Sequence, residues 1–337
     1  MNEPAAGLED AASGLWSSIE RRWNAGMDEI DRIQRRRKPT AFVVGVLKRF
    51  AEDRGVQLGT LIAYYGLLSI FPLMVVLLTV AGFVFDSRPD LRADLERTVL
   101  QQFPTMGPTI RQNTQAIRGN FVSLVLGLAG AVWAGLAAVN AAEVALNGIY
   151  NVARHERPNP IKRRLKSLRM LLILGLGVLA SVMVANLGRV VDGLGGLQAV
   201  WLACASIGIN TALYALAYRS LVSADLSWRS VAPGAALAGS VWWLLTTVGG
   251  IYTERTLASA SATYGAVASA IALLAWIYLQ AQVTLIGAEV NVVLRRRWWP
   301  RSLTGRDLTT ADREAMRLHL QSEKLHESMQ LDVDFGQ

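Results

Sequence analysis

The residues in this sequence that could bind or move a solute are polar side chains set inside long apolar stretches. Glu143 stands between two asparagines at helical spacing, so the three side chains share one helix face. Similar polar residues occur near both ends of the apolar region. The predicted binding residues are Tyr64, Tyr65, Pro72, Asn140, Glu143, Asn147, Asn210, Gln280, Gln282, Glu289 and Asn291. Because polar groups are costly in hydrocarbon, the pattern predicts a polar chamber between helices.

A purely structural role explains the same residues. Buried Asn and Gln side chains often hydrogen-bond between helices and only hold them together. Glu143 and Glu289 could pair with loop arginines such as Arg163 or Arg295. Pro72 should kink its helix because proline removes a backbone hydrogen bond, and kinked helices are either cavity-lining or merely structural. The residue pattern leaves both interpretations open.

Six apolar stretches are long enough to cross the hydrocarbon core of a bilayer, which needs about 20 residues of helix. They lie at 58–85, 121–149, 170–190, 197–218, 231–251 and 262–294. The hydrophobic fraction of 52% and the mean hydropathy of +0.30 also favour a bilayer over water as the surrounding solvent. We therefore predict an all-α, polytopic integral membrane bundle of six transmembrane helices, with its membrane domain at 40–297.

The distribution of basic residues predicts the orientation and excludes one class of partner. Lys and Arg cluster before the first stretch, after the second and after the sixth. The positive-inside rule then places both chain ends in the cytoplasm. The net charge of +8 arises mainly from these loop clusters, whereas nucleic-acid binders gather basic residues on one folded polar surface. We expect no nucleic-acid partner.

Two polar segments flank the predicted membrane domain. In residues 1–39, the apolar residues of 16–30 recur on one helix face, and Pro39 should end that helix. This amphipathic helix is expected to lie in the membrane interface with its basic residues on anionic lipid headgroups. Packing against a second copy of the chain is the alternative. Residues 298–337 are predicted to form a polar cytoplasmic tail, with a frayed helix that begins near Thr309.

No catalytic or metal-binding motif is present in the sequence. His155, His319 and His326 are too scattered to predict a metal site, and Cys204 is the single cysteine. The chain has no phosphate-binding loop and no nucleophile elbow. We therefore expect neither an enzyme activity nor a cofactor.

Two motifs in the sequence resemble a known family. Residues 61–73, Leu-Ile-Ala-Tyr-Tyr-Gly-Leu-Leu-Ser-Ile-Phe-Pro-Leu, closely resemble the first-span signature of the YihY/virulence factor BrkB family. The segments 264–265, 274–278 and 285–291 are similar to its closing motif. The resemblance covers roughly 42–297 and implies a bacterial inner-membrane protein of six spans. It also implies links to envelope integrity or envelope lipid export, as for some members of the family. The family's older label, ribonuclease BN, finds no supporting residues here.

These observations together predict a membrane transporter or export factor for a lipid-like or amphipathic envelope molecule. Movement would be passive or coupled to an ion, with rearrangement around the kinked first span. A non-catalytic membrane scaffold for envelope integrity, working through the N-terminal helix and the tail, is the alternative, and a ribonuclease is the least supported reading. The expected partners are membrane lipids, with a second copy of the chain as a further candidate.

Overall fold

The computed structural model describes residues 26–84, 121–153, 165, 167–170, 173, 177, 196–256 and 265–322. All regular secondary structure within these ranges is α-helical, which confirms the predicted all-α class. A helical segment at 26–36 comes first. The following helices are α1 (Lys38–Glu52), α2 (Gly55–Val84), α3 (Phe121–Ile149), α4 (Gly196–Leu221), α5 (Trp228–Thr256), α6 (Gly265–Arg296) and α7 (Thr310–Ser322).

Four stretches among the described residues are long and apolar enough to cross a membrane. They are Leu128–Ile149, Val200–Leu221, Trp228–Val248 and Ile271–Arg296, within α3, α4, α5 and α6. Helix α2 coincides with the predicted first span, and its 30 residues are about 45 Å long at 1.5 Å per residue. The predicted third span at 170–190 lies almost wholly outside the described residues. The count of six spans and the orientation of the chain ends therefore stay predictions.

Helix α6 is the central helix of the described bundle. It packs against α1, α2, α3 and α5. Helices α2 and α3 form one closely packed pair, helices α4 and α5 form another, and α6 contacts a member of each. At one end of α6, Val290 and Val293 pack on Val46 of α1. Four polar side chains of α6 are consequently buried: Gln280, Gln282, Glu289 and Asn291.

Small residues let α2 approach α6 closely. Gly59 and Ala63 are buried and lie one turn apart on α2. A β-carbon added at Gly59 would lie 2.4 Å from Nε2 of Gln282 on α6, and one at Gly66 would lie 3.0 Å from Cγ2 of Ile277. This face of α2 is part of the Tyr-Tyr-Gly motif region. The motif thus supplies small residues for helix packing as well as two tyrosines.

Helices α5 and α6 are in backbone contact at a pair of glycines. A β-carbon added at Gly234 would lie 1.8 Å from the carbonyl oxygen of Gly287. On the other side, a β-carbon at Gly287 would lie 2.4 Å from the hydroxyl of Tyr218 on α4. Ala238, one turn after Gly234, is fully buried. The small residues Gly234, Ala238 and Gly287 thus allow the backbones of α5 and α6 to approach closely.

Tight turns bring the chain across one end of the bundle. The segment 26–36 ends where Arg37 is extended and Pro39 follows within the first turn of α1, as the sequence predicts. Asn151 after α3 and Arg297 after α6 both adopt the left-handed conformation, with φ of 54° and 56°. The amide of Trp298 then donates to the carbonyl oxygen of Val293 at 3.2 Å, which closes the α6 end.

Candidate functional site

The polar residues of α6 lie on two opposite faces of that helix. At 3.6 residues per turn, Gln280 and Gln282 are about 200° apart around the axis. Gln282 and Glu289 are seven residues apart and share one face, whereas Gln280 and Asn291 share the other. The helical period therefore places the two pairs on opposite sides of α6.

The Gln282 face of α6 is directed to α1 and α2. Gln282 is buried against Gly59, and its Nε2 donates to the carbonyl oxygen of Val56 at 3.4 Å. Its Oε1 has no hydrogen-bond partner among the described residues. Two turns further along α6, Glu289 is 0% exposed and faces the buried guanidinium of Arg49 on α1. This face places one amide and one carboxyl group at the contact of three helices.

Arg49 is the centre of a buried group of charged and polar residues, which we call the Arg49 cluster. Its Nη2 lies 2.8 Å from Oδ2 of Asp53, and its Nε lies 3.9 Å from Oε2 of Glu289. The Nη2 atom also donates to Oδ1 of Asn151 at 3.0 Å. The guanidinium carbon lies 5.0 Å from the ring centroid of Trp298. Helices α1 and α6 and the residues that follow α3 are joined through this one side chain.

The formal charges of the Arg49 cluster do not balance. Asp53 and Glu289 supply two carboxyl groups, and Arg49 supplies one guanidinium. Both carboxyl groups face the same guanidinium, Asp53 at 2.8 Å and Glu289 at 3.9 Å. On the outer side, Nδ1 of His319 in α7 lies 3.5 Å from Oδ1 of Asp53. Such an unbalanced buried group is typical of functional sites in membrane proteins.

The opposite face of α6 and the end of α3 use asparagines to hold helices together. Asn291 accepts a hydrogen bond from the amide of Gly234 at 2.7 Å and donates to the Tyr150 hydroxyl at 3.1 Å. Asn147 accepts from the amide of Ser223 at 2.7 Å and donates to the carbonyl oxygen of Leu221 at 3.3 Å. For these two asparagines the contacts are those expected of interhelical packing residues.

The other predicted binding residues are dispersed. Gln280 is buried, and neither atom of its amide group has a hydrogen-bond partner among the described residues. Glu143 is buried and Asn140 is partly buried on α3. Asn210 donates to the carbonyl oxygen of Ser206 in its own helix at 2.8 Å.

The tyrosines of α2 are separated from the buried polar residues. Tyr64 is 54% exposed, and its ring contacts that of Tyr65 at a centroid distance of 5.3 Å. Pro72 lies within α2, but its side chain is outside the described part of the chain, so the kink stays a prediction. The described contacts thus do not gather all the predicted residues around one chamber.

A second charged cluster, missed from the sequence, holds α7 onto the bundle. Asp312 is fully buried and receives hydrogen bonds from Nζ of Lys48 at 2.8 Å, Nε of Arg301 at 2.8 Å and the amide of Ser302 at 2.9 Å. Thr309 Oγ1 accepts from the Asp312 amide at 3.1 Å, which confirms Thr309 as the N-cap. Burial by itself raises the pKa of Asp312, but the hydrogen bonds from Lys48, the backbone and Arg301 outweigh it and hold that pKa well below its ordinary value.

This second cluster also includes the N-terminal helical segment. Arg301 is fully buried and contacts both carboxylate oxygens of Glu52, at 2.9 and 3.0 Å. Its carbonyl oxygen accepts from Nε2 of Gln34 at 2.7 Å, and Asp31 accepts from the amide of Leu303 at 2.9 Å. We call residues 26–36, α1 and 298–322 the docked cap. The expected fraying of the tail is wrong for α7, because Asp312 anchors its first turn.

The docked cap exposes apolar residues together with basic ones. Four large apolar side chains of the cap are more than half exposed: Ile30, Ile33, Val43 and Leu47. The basic residues Arg36, Arg37 and Lys38 are exposed in the same part of the chain. A surface of this composition suits the interface of a bilayer better than water.

Comparison with known proteins gives the family. The model of the virulence factor BrkB family matches residues 46–309, which is most of the chain. The chain belongs to this family. Its relatives include a ribonuclease-like protein, YfkH, of Bacillus subtilis, which is 26% identical over 76% of this chain and 96% of its own length. A UPF0761 membrane protein of Alcanivorax borkumensis is 27% identical over 74% of this chain but 59% of its own length.

A further relative is the inner membrane protein YhjD of Escherichia coli, which is 30% identical over 40% of each chain. No solved structure matches the chain. The apolar helices and the membrane proteins among these relatives agree that this is a membrane protein. The resemblance that the two sequence motifs predict is thereby confirmed.

Proposed function

We propose that the protein is a transporter that moves a lipid-like or amphipathic molecule within or across the bilayer. The observation that carries the proposal is the set of buried polar groups on α6. Both amide atoms of Gln280, Oε1 of Gln282 and both carboxyl oxygens of Glu289 have no hydrogen-bond partner among the described residues. Buried polar atoms of proteins are nearly always hydrogen-bonded, so groups without partners on a central membrane helix favour a role in binding a solute.

The composition of α6 favours an amphipathic solute over a strongly hydrophilic one. Its polar side chains are single residues between apolar ones, such as Leu285 and Ala288, which are fully buried. A path for a fully hydrated solute would need a continuous polar lining. A lipid-like molecule instead needs a few polar contacts for its headgroup and apolar surface for its chains.

A scaffold role is the second candidate, and the docked cap favours it. Ion pairs fix the docked cap in place, and its apolar and basic residues stay exposed. A surface that binds a partner or anionic lipid would need such exposed residues. A nuclease is the weakest candidate. It rests on the name of a relative that is 26% identical, and the described residues contain no group of three His, Cys, Asp or Glu side chains placed to hold a metal ion.

Native mass spectrometry with lipid extraction tests the proposal on protein purified in mild detergent. We expect one lipid class to be enriched on the wild type and lost in Gln280→Leu and Gln282→Leu, which keep side-chain size but remove the amide. Thr247→Val is the matched control, since Thr247 is exposed and bonds only to the carbonyl oxygen of Trp243 in its own helix. Lipid bound in bulk and unchanged by the glutamine variants would contradict the proposal and favour the scaffold.

A further inference from the structure

We propose that Asp53 and Glu289 hold one proton between them beside Arg49, so that the base of α6 is a proton-binding site. All three side chains are withdrawn from solvent, with exposed fractions of 4%, 0% and 1%. If both carboxyl groups were ionised and His319 beside Asp53 were neutral, the group would carry one uncompensated negative charge in the protein interior. A single added proton makes it neutral.

The hydrogen-bond geometry supports the same proton count. Two ionised carboxylates are acceptors only, and two acceptors that face each other cannot bond. Asp53 and Glu289 instead face one shared donor, the guanidinium of Arg49, at 2.8 and 3.9 Å. One proton on this pair of carboxyl groups leaves a single carboxylate, whose charge Arg49 balances.

The groups that face the pair come from each neighbouring element. Glu52 on α1 adds negative charge, but Arg301 binds both of its oxygens. The Tyr150 hydroxyl after α3 is held by Asn291. His319 on α7 is 45% exposed and lies 3.5 Å from Oδ1 of Asp53, so it joins the buried pair to solvent.

A proton suits this site better than a metal ion. The guanidinium of Arg49 lies against both carboxyl groups, at 2.8 Å from one and 3.9 Å from the other. A second cation placed there would be repelled at close range, and the site would offer it only two carboxyl groups as strong ligands. A proton needs no such space, because it bonds to a carboxyl oxygen that is already present.

Loss of the proton would change the contact between α1 and α6. The ionised pair would then repel and draw solvent through the region of α7, whereas the protonated pair holds α1 against α6. Since α6 also carries Gln280 and Gln282, the proton would be the ion whose movement is coupled to lipid movement. This last step rests on the proposed transport function. The existence of the proton site does not depend on that step.

Infrared difference spectroscopy on the full-length protein, without any substrate, tests the site directly. The wild type should show the carbonyl band of one protonated carboxyl group at neutral pH, and that band should be lost in Glu289→Gln and equally in Asp53→Asn. Asp225→Asn is the matched control, because Asp225 is exposed in the turn between α4 and α5. A wild-type band that persists in both variants, or no difference between wild type and variants, overturns the proposal.

Unfolding measured against pH gives a second readout. A folded state that binds one more proton than the unfolded state loses stability as pH rises, by up to tenfold in the unfolding constant per pH unit while the proton is leaving. This slope should flatten in Glu289→Gln and persist in Asp225→Asn. Stability that depends on sodium concentration but not on pH would overturn the proton assignment. Because no lipid is present, failure here and failure of lipid binding are separate results.

Discussion

Replacing Asp312 by Asn should release α7 from the bundle while leaving the membrane helices folded. The substitution keeps the shape of the side chain but removes the charge that Lys48 and Arg301 face, at 2.8 Å each. In the variant, an amide group would also face the donors of Lys48 and Arg301, which in the wild type bond to a carboxylate. Removing one partner of a buried ion pair costs about 3–5 kcal/mol. Arg301 keeps its contacts with Glu52, so we take the lower limit, about 3 kcal/mol, or roughly 100-fold in the docking equilibrium.

Hydrogen–deuterium exchange of the α7 amides in detergent measures this effect. In Asp312→Asn the amides of 310–322 should exchange roughly 100-fold faster, while those of α3 and α6 should be unchanged. Asp307→Asn is the control, because Asp307 is exposed and contributes only its carbonyl oxygen to Arg35. Exchange in α7 that matches the wild type would refute the reasoning that the buried ion pairs hold the cap.

The same structure makes three further predictions. Because the pKa of Asp312 is depressed, its contribution to docking is complete above the ordinary Asp value of about 3.9 and is lost as pH falls below it. The protection factor of the α7 amides, which corrects for the intrinsic pH dependence of exchange, should therefore be constant from neutral pH to about pH 5 and fall only in stronger acid. Gly234→Ala should lower the melting temperature and the folded yield, since its β-carbon would lie 1.8 Å from a carbonyl oxygen of α6. Gly148→Ala is the control and should be tolerated, because a β-carbon there would have nothing within 4 Å. Equal melting temperatures for the two variants would contradict the contact between α5 and α6. A polarity-sensitive fluorophore can be attached to Leu47→Cys in a Cys204→Ser background. In bilayers its emission should report an apolar environment. Emission like that in water would contradict placement of the cap at the membrane interface.

Much of the helical framework could be predicted from apolar length alone. The stretch at 121–149 coincides with α3, and the predicted span at 262–294 differs from α6 by only a few residues at either end. These agreements have a simple cause, since a membrane helix needs an uninterrupted apolar run that few other structures require. The start of α7 near Thr309 could also be predicted, because a capping residue acts within its own helical turn.

The candidate site could be predicted only in part. The positions of Gln280 and Gln282 on opposite faces of α6 follow from helical spacing alone, so the sequence is enough to predict them. The pairing of Glu289 with Arg49 was not accessible, since the two residues lie at opposite ends of the chain and only the packing of α1 on α6 brings them together. From the sequence, loop arginines such as Arg163 or Arg295 are the expected partners instead.

The central claim is that the buried polar residues of α6 serve the movement of a lipid-like molecule. We would test it in proteoliposomes with an imposed proton gradient, by measuring the translocation of a headgroup-labelled fluorescent lipid. Wild-type protein should move the lipid faster than protein-free vesicles, and Glu289→Gln should lose at least about tenfold of that rate, the effect of one lost charged contact worth about 1.4 kcal/mol. Asp225→Asn should keep the wild-type rate. Equal rates for wild type and Glu289→Gln, or a wild-type rate no higher than that of empty vesicles, would contradict the claim.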